Sequence, residues 1–206
     1  MMLQVCSGFH FFLLGSLPID STSFVQPFFF APPLSIPSSF QSYFMPMCQD
    51  MRMLIATELE TQDFEKIFAF MPNLYHVNFR FAGQLKDKVV EYLLDRNLKI
   101  KRLQLDAANL ISDECWQQLF RKLGPQLESL KLSNLDSSLD DETVEVMCRE
   151  CTSLQRLKLK QCWKMGNRSL QAISQLISLQ HLSLDFVQEI CDEILLNTVS
   201  KLSPRL

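Results

Sequence analysis

The chain has 206 residues, enough for one domain and a tail, and it carries 20 basic and 23 acidic side chains. Its first 50 residues contain no Lys, Arg or Glu, yet they hold nine of the 16 Phe and six of the nine Pro. The remainder carries 20 basic and 21 acidic side chains and is therefore close to neutral. The net charge of this part therefore does not indicate nucleic-acid binding.

Residues 1–47 are rich in Phe, Pro and Ser and show neither helical nor strand periodicity, so we expect an irregular tail outside the fold. The apolar run at residues 9–14 is a candidate core of a signal peptide. No basic residue precedes it, however, and His10, Gly15 and Pro18 interrupt the apolar stretch. The run is also shorter than a transmembrane helix requires. The other interpretation is a segment foreign to the fold, from a mis-called start or a retained intron.

From residue 48 onward, one pattern of apolar residues returns every 25 to 27 residues. If the first apolar residue of each copy is position 1, further apolar residues stand at positions 4 and 6. The five copies begin at Leu74, Ile100, Leu127, Leu154 and Leu179, and their inner pairs are Val77 and Phe79, Leu103 and Leu105, Leu130 and Leu132, Leu157 and Leu159, and Leu182 and Leu184. A spacing of two puts side chains on one side of a strand, so each copy predicts a short strand with these residues inside.

The second half of each copy has the pattern of a helix. Apolar residues return at positions 9 and 12, with one residue inserted before Leu139 in the third copy. Two residues later comes a short polar side chain, which we interpret as a helix N-cap. These predicted caps are Asp87, Asp113, Asp141, Asn167 and Asp192. Pro72, Pro125 and Pro204 stand two residues before a new copy, where proline ends the preceding helix.

The alternation of strands and helices indicates an α/β leucine-rich-repeat solenoid, a right-handed β-α superhelix of the ribonuclease-inhibitor kind. We expect about five full repeats and a partial one in residues 48–206. Since Leu206 falls on position 1 of a further copy, we expect the domain to be truncated at its C-terminal end. Leu182, Leu184 and Leu195 should then lie under an unfinished edge, and the chain should dimerise or aggregate.

The cysteines allow a structural and a metal-binding interpretation. Cys148 and Cys151 have CxxC spacing and could join Cys162 in a zinc site, but no fourth ligand lies near them in sequence. The repeat explains the same residues as small buried side chains, so we predict structural thiols and neither metal nor cofactor. An odd number of buried thiols favours a reducing compartment, hence a nuclear or cytoplasmic location.

Residues 151–175, with the sequence CTSLQRLKLKQCWKMGNRSLQAISQ, resemble the cysteine-containing subtype of leucine-rich repeat. The pattern of that subtype is C-P-x-L-x-x-L-x-L-x-x-C-x-x-I-T-D, followed by a helix. This sequence departs from it at Thr152 and at Gly166 with Asn167. It matches at Cys151, Leu154, Leu157, Leu159, Cys162, Met165 and Leu170.

The subtype is typical of F-box leucine-rich-repeat proteins, the substrate receptors of cullin-based ubiquitin ligases. Residues 71–97 and 127–163 are most similar to the leucine-rich-repeat subunit of the fungal global-genome nucleotide-excision-repair complex. This resemblance implies a non-enzymatic scaffold in a repair complex with ubiquitin-ligase components among its partners. An F-box-type substrate receptor is the alternative, although residues 1–50 do not have the pattern of an F-box. An extracellular receptor would need a signal peptide and paired cysteines.

We find no pattern of catalytic residues. The three histidines are His10 in the tail and His76 and His181, which share position 3 of their copies and should face solvent. The sequence has five glycines and contains neither a phosphate-binding glycine loop nor a metal-binding helix motif. We therefore predict that the chain is not an enzyme.

The outward positions 3, 5 and 7 of the strands should form the concave face of the solenoid, where such folds usually bind their partners. Stacking the strands gathers basic residues in the middle of that face. The predicted partner-binding residues are Arg102, Lys131, Arg156, Lys158 and Lys160. They favour an acidic protein partner over direct DNA contact or a membrane, whereas a merely solvated polar face is the plainer alternative.

Overall fold

A computed structural model of the protein describes residues 2–6, 10–14, 53–57, 68, 72–80, 83, 85–95, 99–136, 138–185 and 191–204. The strands are β1 (Met2–Cys6), β2 (His10–Leu14), β3 (Met53–Thr57), β4 (His76–Arg80), β5 (Arg102–Asp106), β6 (Ser129–Leu135), β7 (Arg156–Cys162) and β8 (His181–Asp185). The α-helices are α1 (Asp87–Asp95), α2 (Asp113–Leu123), α3 (Asp141–Glu150), α4 (Asn167–Ile173) and α5 (Asp192–Leu202), and a 3-10 turn spans Gly124–Gln126.

These strands form one sheet in the order β2-β1-β3-β4-β5-β6-β7-β8. From β3 to β8, each strand lies parallel to the next one along the chain. Parallel neighbours need a crossover between them, which α1 to α4 provide for the strands from β4 to β8. The predicted α/β class is confirmed, while the count of repeats stays a prediction.

The N-terminal strands differ from our expectation. β1 pairs in parallel with β3 and antiparallel with β2, so both extend the sheet at one edge. The prediction of an irregular tail outside the fold does not hold for these two strands. The remaining residues up to 52 lie outside the described residues. The proposed boundary between residues 47 and 48 stays a prediction.

The strand register stacks the inward positions into continuous apolar rows. Leu130 pairs with Leu157, and Leu132 with Leu159, each beside the corresponding residue of the next strand. All five position 1 residues have an exposed fraction of 0%: Leu74, Ile100, Leu127, Leu154 and Leu179. Since full burial of a Leu side chain contributes about 1.5–3 kcal/mol, these rows dominate the stability of the fold.

A left-handed residue recurs at position 8 of the repeat. Ala107, Asn134 and Gln161 have φ values of 60°, 56° and 52°. Positions 6 and 9 both point inward although they are three residues apart, whereas an extended strand returns to the same side every two residues. A single residue with positive φ between them shifts the alternation of sides by one residue and returns position 9 to the core, while β6 and β7 continue in the same direction.

The predicted helix caps are wrong by one residue. The helices begin at the polar residues themselves, and the caps are the residues before them. In α2, the Ser112 hydroxyl oxygen accepts a hydrogen bond from the Cys115 N–H at 3.2 Å. In α3, the Asp140 carboxylate accepts one from the Thr143 N–H at 2.9 Å.

The polar residues that begin the helices bond to the following unit instead. The Asp87 carboxylate accepts hydrogen bonds from the N–H and the hydroxyl of Ser112, both at 2.8 Å. The Asn167 side-chain oxygen accepts one from the Cys191 N–H at 3.0 Å. The Asp141 carboxylate likewise accepts hydrogen bonds from the N–H groups of Gly166 and Ser169. We call the contacts of Asp87, Asp141 and Asn167 the cross-unit ladder. Each ties the start of one helix to the start of the next.

Asp113 interrupts this ladder. Its Oδ1 is buried without a hydrogen-bond partner among the described residues. The unit that follows it carries the inserted residue before Leu139, which has a left-handed φ of 68°.

Candidate functional site

All five predicted partner-binding residues lie on the strand positions that alternate with the buried core. Arg102, Arg156 and Lys158 are exposed, and Lys131 and Lys160 are partly exposed. We call the surface formed by positions 3, 5 and 7 the open face of the sheet. Because its side chains stand on a regular grid of strands, their relative positions follow directly from the register.

The register gathers three of the five residues and separates a fourth. Lys131 lies directly beside Lys158 on the neighbouring strand, at the strand spacing of about 4.8 Å. Arg156 precedes Lys158 by two residues on the same face, about 6.6 Å along the strand. Arg102 is separated from Arg156 by Ser129. We call Lys131, Arg156 and Lys158 the basic cluster.

The fifth residue, Lys160, is compensated by an acidic neighbour. Its Nζ lies 3.7 Å from Oδ2 of Asp185, which stands opposite it on β8. Both side chains are partly exposed, so the pair adds little to stability, but it cancels the charge at this end of the face. Asp106 lies in the same row, and its Oδ1 accepts hydrogen bonds from the Ser133 hydroxyl at 2.8 Å and from the Asn134 amide at 2.6 Å.

The open face is therefore divided along the strands. The rows at positions 3 and 5 hold the basic cluster, whereas the row at position 7 combines the acidic residues Asp106 and Asp185 with the basic residues Arg80 and Lys160. Sequence reasoning missed this division, although both acidic residues were visible at position 7 of their copies. An acidic ligand would favour the first two rows, because the opposite charges of the third row offset one another.

His76 extends the position 3 row beside Arg102 but adds no charge to it. Burial, followed by the positive charge of Arg102, lowers the pKa of His76 below its usual value. The imidazole is consequently neutral at neutral pH, and its Nδ1 has no hydrogen-bond partner in the part of the chain that the structure describes.

Five cysteines are free thiols, and four of them are shielded from solvent. Cys115, Cys151 and Cys162 are buried, Cys148 is half-buried and Cys191 is exposed. Burial raises the pKa of Cys115, Cys151 and Cys162 to about 12 in each case, and it also raises that of Cys148. Among the described residues, no three His, Cys, Asp or Glu side chains are grouped so that they could hold a metal ion. None of the described helices has the length and apolar character needed to span a membrane.

We expect a maleimide reagent to modify Cys191 long before the four shielded cysteines. A thiol with a pKa near 12 has on the order of 10³-fold less thiolate than one with the ordinary pKa of about 8.5, and burial also blocks the reagent. Peptide-level mass spectrometry over a time course would measure the order of modification. Labelling in denaturant is the control, since all five should then react. Fast labelling of Cys162 in the folded protein would contradict its burial, and five thiols that resist labelling in denaturant would indicate disulfides.

No protein-family model matches the chain. The DNA repair protein rhp7 of Schizosaccharomyces pombe is 27% identical over 135 residues, covering 60% of this chain and 24% of that protein. The DNA repair protein RAD7 of Saccharomyces cerevisiae is 22% identical over 114 residues, covering 55% and 20%. The chain is similar to fungal DNA repair proteins. This confirms the resemblance that the sequence indicated.

Two further matches complete the comparison. A putative RNA-binding protein of Caenorhabditis elegans, EEED8.10, is 26% identical over 119 residues, covering 58% of this chain and 16% of that protein. The crystal structure of a Rad7 and Elc1 complex in yeast matches with a TM-score of 0.40 and 16% identity, over 81% of this chain and 61% of that one. The chain spans a quarter or less of the length of these three curated relatives.

Proposed function

We propose that the chain is a non-enzymatic interaction scaffold, a leucine-rich-repeat solenoid of about five full repeats and a partial one. It would work in the nucleus within a nucleotide-excision-repair complex that includes ubiquitin-ligase components. The similarity to rhp7 and RAD7 supports a role in DNA repair. The parallel strands joined by helices support a repeat scaffold, because each unit presents its open face to a partner.

We propose that the basic cluster binds an acidic segment of a protein partner. The observation that carries this proposal is the pairing of Lys131 with Lys158 in neighbouring strands. Lys158, whose other strand neighbour is Ser183, and Arg156 two residues before it place further positive charge on this part of the open face. The field of the basic cluster would attract an acidic ligand and speed its association.

Nucleic acid is the less suitable ligand for this surface. The region after residue 50 is close to neutral, and a cluster of three cations would neutralise few phosphates. A nucleic-acid contact would be recognised by an affinity that falls steeply with salt, in proportion to the phosphates neutralised. Because the nematode relative is named as a putative RNA-binding protein, the binding experiment described below should also include an RNA ligand.

An F-box-type substrate receptor remains the alternative function. The same open face would then capture a protein destined for ubiquitination. Because the scaffold and the receptor would both use this face, binding of an acidic peptide would not distinguish between them. Co-purification of this chain with a repair complex would favour the scaffold, and co-purification with a cullin ligase alone would favour the receptor.

We expect the double variant Arg156→Glu/Lys158→Glu to bind a fluorescent oligoglutamate peptide at least about tenfold more weakly than the parent. The loss should arise mainly from slower association, and the parent's association rate should fall with added salt. Fluorescence anisotropy and stopped-flow mixing measure both quantities. Circular dichroism should be unchanged, because outward strand positions contribute little to the core.

The matched control is Arg121→Glu/Lys122→Glu on α2, where both side chains are exposed. It makes the same change of residue types and of net charge away from the open face, so binding should stay near the parent value. Equal losses in both double variants would mean that only bulk charge matters. Tighter binding to RNA or DNA of equal length, with a steep salt dependence, would overturn the choice of a protein partner.

A further inference from the structure

The position 5 row of the open face changes its chemistry from one end to the other. It carries the amides of Asn78 on β4 and Gln104 on β5, followed by the ammonium groups of Lys131 on β6 and Lys158 on β7. The strand register places these four residues side by side in one line across the sheet. The row therefore has a neutral half with two amides, which we call the amide pair, next to a half that belongs to the basic cluster.

Asn78 has a hydrogen-bonding group that the described residues leave unused. The residue is 5% exposed, and its Oδ1 is buried without a hydrogen-bond partner among the described residues. Buried polar groups are nearly always paired, because an unpaired one has lost its hydrogen bonds to water without a replacement. The last torsion of an Asn side chain is broad, so the amide can turn toward a group that lies across the strand. A ligand that donates a hydrogen bond to it would replace the lost bond.

The neighbouring side chains restrict the kind of ligand that fits at this end of the face. Arg102 stands beside His76 and is exposed, so its positive charge disfavours a cationic donor such as a Lys or Arg side chain. Gln104 stands beside Asn78 and is partly exposed. Each amide has both N–H donors and a carbonyl acceptor. Two adjacent amides therefore match the N–H and C=O groups that an extended peptide backbone offers.

The strand spacing determines how much of a peptide the row can hold. Asn78 and Lys158 are three strand steps apart, which is about 14 Å at a spacing of about 4.8 Å. An extended chain advances about 3.3 Å per residue, so about four residues cover this distance. A segment that lies across the strands with its carboxylates at Lys131 and Lys158 thus brings its adjoining peptide groups to the amide pair.

We propose that the amide pair, Asn78 and Gln104, binds the main chain of the partner segment whose carboxylates occupy the basic cluster. This inference rests on the proposed function, because the basic cluster attracts the acidic part of the segment to the open face. The amide pair then fixes the register and the direction of the segment. The partner is an extended segment in which a run of acidic residues adjoins about four residues with free backbone N–H groups.

Three end-blocked fluorescent peptides of equal charge test the proposal on the whole 206-residue chain. They contain four glutamates alone, four glutamates preceded by four alanines, or four glutamates followed by four alanines. We expect one of the two longer peptides to bind about tenfold more tightly than tetraglutamate in fluorescence anisotropy, because its main chain adds hydrogen bonds. N-methylation of its alanines removes the N–H donors and should abolish the gain.

The double variant Asn78→Leu/Gln104→Leu should lose the preference for the longer peptide and keep the parent's affinity for tetraglutamate. The matched control is Gln118→Leu/Asn197→Leu, which makes the same changes of residue type at exposed positions on α2 and α5. It should keep the full preference. Circular dichroism checks that both variants fold, and the N-methylated peptide tests the same contact on the parent without any substitution.

The outcomes separate this inference from the function on which it rests. Equal binding of all three peptides to the parent would overturn the amide pair as a binding site and leave the basic cluster in place. A preference that survives N-methylation, or that survives in Asn78→Leu/Gln104→Leu, would overturn it as well. If none of the three peptides binds, the proposed binding of an acidic segment is itself wrong, and the role of the amide pair falls with it.

Discussion

Replacing Leu159 with Ala is expected to lower the free energy of unfolding by about 2–5 kcal/mol. The side chain is fully buried and stands between Leu132 and Leu184 in the inner row of the sheet. Truncation removes apolar contacts and leaves a cavity that two neighbouring units must share. Because each unit of a solenoid rests on its neighbours, the loss weakens both interfaces at once.

Urea denaturation followed by circular dichroism would measure this loss. Lys158→Ala is the control, because it truncates the neighbouring residue on the same strand but on the open face, and it should change stability by no more than about 0.5 kcal/mol. A variant at Leu159 with an unchanged urea midpoint would show that this position is not in the core. The register of the inner rows would then be wrong.

The core of the repeats could be predicted because the sequence encodes it twice. The spacing between positions 4 and 6 fixes which side of each strand is buried, and the constant repeat length fixes which strands stack in register. Both constraints place Leu157 beside Leu130 and Lys158 beside Lys131, as the structure does. The outward rows then follow from the same register.

The sequence predicted the right residues at the helix starts but assigned them as N-caps, whereas they are the first helical residues. Asp87 and Asp141 have the short polar side chains typical of N-caps, so composition alone does not separate a cap from the first helical residue. The difference lies in the hydrogen-bond partner, which belongs to the next unit some 25 residues away. Local sequence carries no signal for such a contact.

The edges of the sheet were the least predictable part. β1 and β2 show no repeat, and β1 pairs with β3 across some 50 residues of sequence, so no local period reveals the pairing. The compensation of Lys160 by Asp185 depends on two strands together. The strand register predicts this ion pair, but only when the acidic and the basic residues of one row are considered together.

Asp141 is expected to be the strongest link of the cross-unit ladder. Its Oδ1 accepts hydrogen bonds from the Gly166 N–H at 2.8 Å, from the Ser169 N–H at 3.0 Å and from the Ser169 hydroxyl. Hydrogen bonds to a charged group contribute about 1.5–3 kcal/mol each, although bonds sharing one oxygen are not additive. We therefore expect Asp141→Ala to cost about 2–3 kcal/mol at neutral pH.

The preceding unit supplies a matched control in Asp113→Ala. Asp113 also begins its helix, so both variants lose the same favourable charge near a helix N-terminus, about 0.3–1 kcal/mol. The Oδ1 of Asp113, however, is buried without a hydrogen-bond partner among the described residues. The difference in stability between the two variants then reports the hydrogen bonds of Asp141 together with its attraction to Arg168, plus the removal of an unpaired buried oxygen in Asp113→Ala. Equal losses would mean that those bonds add nothing beyond the helix charge.

The contribution of Asp141 should also depend on pH. Burial alone would raise its pKa, but the hydrogen bonds from Ser169 and Gly166 and the charge of Arg168 outweigh burial and lower the pKa below the ordinary value. The folded state thus holds the proton less tightly than the unfolded state, whose Asp pKa is about 3.9. The stabilisation is complete above that pKa and is lost as the pH falls through the lower pKa of the folded state. Urea unfolding from about pH 7 down to about pH 3 should therefore show parent and Asp141→Ala converging in acid, while a gap that stays constant would assign the effect to packing instead.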